Sequence, residues 1–190
     1  MKLIMENWGK FLNEAEKKKV KLIYKHNVVE QAIKDAMLYA GISGGGLFTL
    51  MKEISIAESG YKTKSGVVKH AQNPFQMTNI AINEIRNIDG EGYRRVKKYI
   101  KNFEKNAKIK RRMMQPWHKQ SNSEIKNLLL LNAAGAMFYI IRMRGLKSVS
   151  DLNSRANWWK TKYNTKKGAG TPNYYQKKIK QFLYATNRRK

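Results

Sequence analysis

Residues 128 to 141 read Leu-Leu-Leu-Leu-Asn-Ala-Ala-Gly-Ala-Met-Phe-Tyr-Ile-Ile, with Asn132 the one strongly polar interruption. A helix built from this run is apolar nearly all round, and a helix of that kind has to be buried. Fourteen residues are too few to span a bilayer, so the run predicts the central core helix of a globular domain. Ser121-Asn-Ser-Glu124 just before it has the capping-box pattern. One long helix is therefore expected from there to about Arg144, ended by Gly145. Asn132 inside the run must find hydrogen-bond partners, because an unpaired buried amide is costly. It either plays a structural part or orients the backbone of a cleft. The small residues Ala133 to Ala136 would let another backbone come close.

The rest of the chain supplies partners for such a helix. Asn27-Val-Val-Glu30 matches an N-cap with Glu three residues on. Val28, Ala32, Met37 and Leu38 carry a helix to about Ala40, and Gly41 ends it. Ser43-Gly-Gly-Gly46 is a loop without the Lys-Ser/Thr that a phosphate loop needs. Leu47, Leu50, Met51, Ile54 and Ala57 recur at helical spacing, with Glu58 at the end of the stripe. Residues 60–77, with Gly60, Gly66 and Pro74, read as irregular or short β structure. Residues 78–88 fit a strand or a short helix. Val96, Tyr99, Ile100 and Phe103 form the inner face of a helix from Tyr93 to Lys105. Ser148-Val-Ser-Asp151 is a second capping-box pattern, leading into a helix from Leu152 to Tyr163. Thr171-Pro172 reads as N-cap and N1 of a last helix through Ile179, Phe182 and Leu183. The expected fold class is mainly α, with about six or seven helices around one buried central helix and a small irregular or β region after the Glu58 helix. Residues 1–25 form an arm or short helix, and residues 26–190 a single domain long enough for a real core.

Charge narrows the partners. The formal net charge is +26. Residues 1–60 hold 9 Lys+Arg and 7 Asp+Glu, and residues 61–190 the other 30 and 6, so the halves carry +2 and +24. A field of this size attracts polyanions: nucleic acid non-specifically, anionic lipid, or an anionic envelope surface. Residues 92–119 alone hold eleven Lys+Arg and one acid, Glu104, which is either a solvated basic face or a docking surface. Trp117 beside it either stacks on a sugar or base or packs inside. There is no cysteine, and His26, His70 and His118 make no metal-ligand spacing. No cofactor or metal is expected. Met1 to Trp8 lacks the apolar core of a secretory signal, with Glu6 interrupting it.

Glu58 carries the most specific chemistry. A carboxyl group at a helix C-terminus, among apolar neighbours, has its pKa raised by the dipole and by burial. A raised pKa suits a general acid near neutral pH. Glu58-Ser59, then Pro74-Phe75-Gln76-Met77, then Tyr163-Asn164-Thr165 with Gly168 and Gly170, resembles the soluble lytic transglycosylase and goose-type lysozyme branch of the lysozyme superfamily. That family carries a Glu-Ser pair, a Gly-Leu-Met-Gln-like segment and a Tyr-Asn-x-Gly-like segment in this order. The resemblance covers roughly residues 45 to 185. It departs from the pattern at Asn73-Pro74, where Gly-Leu is usual, and at Thr165 with a later Gly168.

The resemblance implies an α+β lysozyme-like fold and cleavage of the MurNAc-GlcNAc β-1,4 bond of peptidoglycan, with Glu58 as acid and base. It implies supporting roles for Ser59, Tyr163 and Asn164, with the Tyr163 hydroxyl directed at the acid. Tyr61, Phe75, Gln76, Met77, Thr78 and Thr165 would contact substrate. Glu84, Asp89 and Glu91, the carboxylates nearest in sequence after the cleft segment, sit in no recognisable motif. A lytic transglycosylase needs no second carboxylate, so this outcome is favoured over hydrolysis by a muramidase, which wants one. The class also implies a phage-type lysis or entry enzyme, reaching the wall through a pore or inside a virion. A basic nucleic-acid-binding protein is the expectation from another class, favoured by charge and by the Trp and Tyr residues. No zinc, RNP-type or helix-turn-helix signature accompanies it. A membrane-active basic protein, acting through residues 93–114 or the last helix, is a third.

Overall fold

The computed structural model describes residues 26–59, 73–109, 115–143, 150–164 and 170–187. These form eight α-helices, and the described residues include no strand. The helices are α1 (His26–Ala40), α2 (Gly45–Ser59), α3 (Asn79–Arg86), α4 (Glu91–Ile109), α5 (Asn122–Asn127), α6 (Leu129–Arg142), α7 (Leu152–Trp158) and α8 (Pro172–Asn187). A 3-10 turn (Trp117–Lys119) precedes α5, and a π-helical turn (Trp159–Tyr163) extends α7. The protein is mainly α, as the sequence indicates. The arm at 1–25 and most of the expected β region, 60–72, lie outside the described residues.

The apolar run is the centre of the core. Every residue from Leu131 to Phe138 is buried, and α6 packs against α1, α2, α3, α4 and α5. The long helix expected from Ser121 to Arg144 is in fact two. The capping box forms as read, with Glu124 N–H on Ser121 Oγ at 3.1 Å and Ser121 N–H on Glu124 Oε2 at 2.7 Å. The chain then turns at Leu128, whose backbone is extended at φ −91°, ψ 113° and whose side chain is exposed. No Gly or Pro marks this break, so the apolar run hides it. At Gly135 the near neighbour is an aromatic ring. A Cβ on Gly135 would lie 3.2 Å from the Trp117 indole. Trp117 is fully buried and donates to the Leu131 carbonyl at 3.2 Å, so it packs inside and is not free to stack on a sugar or base.

Other boundaries follow local chemistry. α1 already includes His26, so Asn27 lies inside the helix rather than capping it. Its buried stripe is Val29, Ala32, Ile33, Ala36, Met37 and Ala40, while Val28 and Leu38 are exposed. Gly41 ends α1 at φ +69° in a Schellman arrangement, with Ile42 N–H on Met37 O and Gly41 N–H on Leu38 O. Residues 79–86 are helical. Asp151 caps α7 by accepting from Ser154 N–H at 2.9 Å, and Ser148 lies outside the described residues. Thr171 caps α8 through Tyr174 N–H, with Pro172 first in the helix.

α2 joins this bundle to the C-terminal helices. It packs on α1 and α6 from one side and on α8 from the other, and α8 packs on α7. Two polar links pin it. Glu30 on α1 accepts from Lys52 on α2 at 2.8 Å and pairs with His26 at 2.9 Å. Burial and the nearby Lys52 push the His26 imidazole down to about 4 despite Glu30. The second link, at Glu53, belongs to the site. No described helix is long and apolar enough to cross a membrane.

Candidate active site

Two carboxylates point from α2 toward α7 and α8. Glu53 lies between Leu50 and Ile54 on the buried side of the helix, an acid where an apolar residue is expected. Its carboxylate is forked by Arg155 of α7, Nε to Oε2 at 2.7 Å and Nη2 to Oε1 at 2.9 Å. Tyr175 of α8 adds its hydroxyl to Oε2 at 3.0 Å. Two charged donors and a phenol satisfy the buried charge, which is the condition under which such a pair persists in a core.

Glu58, five residues on, has a different environment. Oε1 accepts from the Trp159 indole N–H at 2.8 Å. Burial raises its pKa, and the Trp159 bond offsets part of that rise. No described cation acts on it, although the chain holds 39 Lys+Arg. The expectation of a raised carboxyl pKa stands, with burial as its first cause.

Trp159 is placed by its neighbours. It opens the π-helical turn, where Asn164 N–H reaches back five residues to Trp159 O at 2.8 Å. Such one-turn widenings are frequent at functional sites. The ring packs on Tyr175 at 5.1 Å between centroids and stacks on Tyr174 at 6.4 Å. Gly170 closes the other side. A Cβ there would sit 2.3 Å from the Trp159 ring and 2.4 Å from Asn164 Nδ2, so only glycine fits. The close approach expected of Gly170 is real, and Asn164 is part of it. Thr165 and Gly168 lie outside the described residues.

The segment 73–78 is tied to the core. Asn132, the polar residue of the apolar run, donates from Nδ2 to Asn73 Oδ1 at 2.8 Å. Asn73 Oδ1 also accepts from Met77 N–H at 2.9 Å, and Asn73 Nδ2 donates to Met77 O at 3.2 Å. Asn132 thus finds a partner for its Nδ2 in the Asn73 side chain, which in turn holds the Met77 backbone. Gln76 adopts a left-handed φ of 49° and donates from Nε2 to Asn73 O at 2.9 Å. A non-glycine residue there is strained, and such strain collects at functional sites. Tyr163 completes the arrangement by donating its hydroxyl to Phe75 O at 2.6 Å, with its ring against Tyr139 at 5.7 Å. Burial first, then the nearby Glu58 and Tyr139, raise its pKa well above the ordinary value.

Several expected roles change. Tyr163 does not direct its hydroxyl at Glu58: the Phe75 carbonyl accepts that hydrogen bond, and Trp159 is the donor on Glu58. Phe75 and Met77 are buried in the core, so their side chains do not line an open cleft. Thr78 caps α3, accepting from Ala81 N–H at 3.1 Å. Ser59 is buried and its Oγ finds no hydrogen-bond partner among the described residues, so it does not bond Glu58. Tyr61 lies outside the described residues. Of the carboxylates named after the cleft segment, Glu84 pairs with Arg142 at 2.5 Å and Glu91 with Arg95, while Asp89 is exposed. Among the described residues, no three His, Cys, Asp or Glu side chains cluster to hold a metal ion.

Sequence reasoning missed Trp159 and the Glu53–Arg155–Tyr175 cluster. The signal for the cluster is Glu53 itself, an acid on an apolar stripe. Comparison with family models, curated proteins and solved structures gives no match to this chain.

Proposed function

We propose that the protein is a peptidoglycan-cleaving glycosidase in which Glu58 is the general acid and base, with a lysozyme-like fold. One observation supports this above the others. In a chain of net charge +26, Glu58 is a half-buried carboxyl given a neutral indole donor and no described cation. A structural carboxylate in this protein is treated differently, as Glu53 is. A carboxyl whose pKa is raised by burial is better suited to donate to a leaving glycosidic oxygen while the sugar takes on oxocarbenium character.

The step that follows depends on a second carboxylate. All Asp and Glu beyond residue 25 fall among the described residues. Besides the groups already placed, Glu30 pairs with Lys52, Glu104 with His118, Glu124 closes a capping box, Asp151 caps α7 and Asp35 accepts from Gln31. This favours a lytic transglycosylase. Glu58 first donates its proton to the departing GlcNAc oxygen. As carboxylate it then takes the proton of the MurNAc C6 hydroxyl, whose oxygen closes on C1 to give the 1,6-anhydro ring. No water enters the product, and Glu58 ends protonated as it began. Trp159 holds the carboxyl rotamer in both states. The Asn132–Asn73 tie and the Tyr163–Phe75 bond fix the backbone beside it. Such an enzyme would act on the bacterial wall after release through a pore or delivery by a virion.

The test is digestion of purified peptidoglycan by wild type and Glu58→Gln, with mass spectrometry of the released muropeptides. Anhydro products are expected from wild type, with a loss of about 10²-fold or more in the variant. Reducing ends, lost in the variant, would keep the site and make the enzyme a muramidase. No release by wild type from any peptidoglycan type would sink the reading.

A further inference from the structure

The solvent face of α4 has no part in the site. Tyr93, Val96, Ile100, Phe103 and Ala107 form the buried side of this helix. At 3.6 residues per turn, Arg94, Lys98, Lys101 and Lys105 fall on the opposite side in one ridge of about 16 Å, with Lys97 flanking. All five are exposed. Their spacings are three and four residues, so each cation faces another along the ridge. Among the described residues none of the five has an ion-pair partner; Glu91 is taken by Arg95, and Glu104 faces His118.

This arrangement opposes folding. Like charges three or four residues apart destabilise a helix, and Arg94 adds a positive charge in the first turns, where the helix dipole is already positive. A face chosen for stability would alternate sign. The ridge also carries no aromatic and no apolar side chain: Tyr93 and Phe103 are buried and Tyr99 is half-buried. Binding single-stranded nucleic acid uses exposed rings on which bases stack, and seating in a bilayer uses apolar side chains beside the cations. What remains is a row of point charges about one helical turn apart.

We propose that this ridge docks a wall-borne polymer whose charges are phosphodiesters of a polyol chain, which has regular negative charge and nothing to stack. The choice of a wall polymer rests on the glycosidase reading; the ridge itself does not. Docking there would hold the enzyme on its substrate layer and make retention steeply salt-dependent.

The experiment measures retention on insoluble sacculi that carry polyol-phosphate chains, and on the same sacculi stripped of them by hydrofluoric acid. The full chain is used with Glu58→Gln throughout, so no turnover intervenes. Two further triples of equal net charge are compared in that background: Lys98→Gln/Lys101→Gln/Lys105→Gln on the ridge, and Lys119→Gln/Lys177→Gln/Lys180→Gln elsewhere. The ridge triple is expected to lose about tenfold in affinity, with the slope of log K against log salt flatter by about two to three. The control triple and the Lys→Arg version of the ridge triple should bind like their parent. Stripping should weaken the parent to the level of the ridge triple. The ridge triple should melt no lower than its parent, which separates lost docking from lost folding. Equal loss in both triples would assign binding to overall charge and overturn the proposal, as would unchanged binding by the ridge triple or undiminished binding to stripped sacculi. Tighter, ridge-dependent binding to DNA at the same salt would overturn it in favour of nucleic acid. Failure of the muropeptide assay, with ridge-dependent retention intact, would sink the glycosidase reading alone.

Discussion

Glu53 and Glu58 stand five residues apart on α2, both turned toward α7 and α8, and the protein treats them in opposite ways. Glu53 receives a bidentate guanidinium and a phenol. Glu58 receives one indole N–H. The first arrangement occupies both carboxylate oxygens with donors and ties three helices together. The second leaves the carboxyl free to change state, with burial favouring the neutral form. Both hang on one aromatic pair: Tyr175 bonds Glu53 through its hydroxyl and packs its ring on Trp159, which bonds Glu58. The Glu53 cluster thus braces the donor on Glu58.

The largest effect should come from stranding the braced charge. Arg155→Met leaves Glu53 buried without its cation and should cost about 3–5 kcal/mol in urea unfolding. Adding Glu53→Leu should recover most of that loss. If the single variant is as stable as wild type, Glu53 is not the structural member of the pair. Next is Gly170→Ala. Its methyl must displace the Trp159 ring or Asn164, at about 1–3 kcal/mol. It should remove the Glu58 bond while the Glu53 cluster keeps its contacts, so activity should fall by more than stability does.

Glu58→Gln should move stability the other way. A carboxyl whose folded pKa is raised above its ordinary 4.5 binds protons more readily in the fold than in the unfolded chain. Stability therefore falls as pH rises from 4.5 through the folded value, by about 1.4 kcal/mol per pH unit across that window. The amide does not ionise and escapes this loss. The variant should thus melt above wild type at neutral pH, and the difference should vanish below 4.5. His26 contributes with opposite sign to both proteins. Its folded value of about 4 lies below the ordinary 6.5, so stability is lost as pH falls from 6.5 to about 4; the difference between variant and wild type cancels it. Trp159→Phe is read on the pH profile: it removes one hydrogen bond, about 1 kcal/mol, and also trims a fully buried ring. Since that bond lowers the Glu58 pKa, its removal should carry the alkaline limb of the pH–rate profile upward. A limb that stays in place would show that Trp159 does not tune the acid.

What the sequence yields here is the part written locally. The α2 stripe, the Ser121–Glu124 box, the Thr171-Pro172 start and the burial of α6 all follow from neighbours within one or two turns. The break at Leu128 does not, because Leu at an exposed bend looks the same as Leu in a core. Glu58 is legible as a carboxyl in an apolar setting. Its donor is not, because Trp159 lies 101 residues on and reaches the acid only through the α7–α8 packing. The Tyr163 hydroxyl ends on a backbone carbonyl, a partner that no motif encodes. Asn132 falls between these cases: a polar group in an apolar run announces that it has a partner, and only the fold shows that the partner is Asn73.

The central claim is that Glu58 is held as an acid, and the direct measurement is a carbon-13 NMR titration of its side-chain carboxyl, assigned by its loss in Glu58→Gln. The account requires a midpoint above the ordinary 4.5, rising further in Trp159→Phe. A midpoint at or below 4.5 would make Glu58 a second structural carboxylate and remove the basis for assigning it the chemistry.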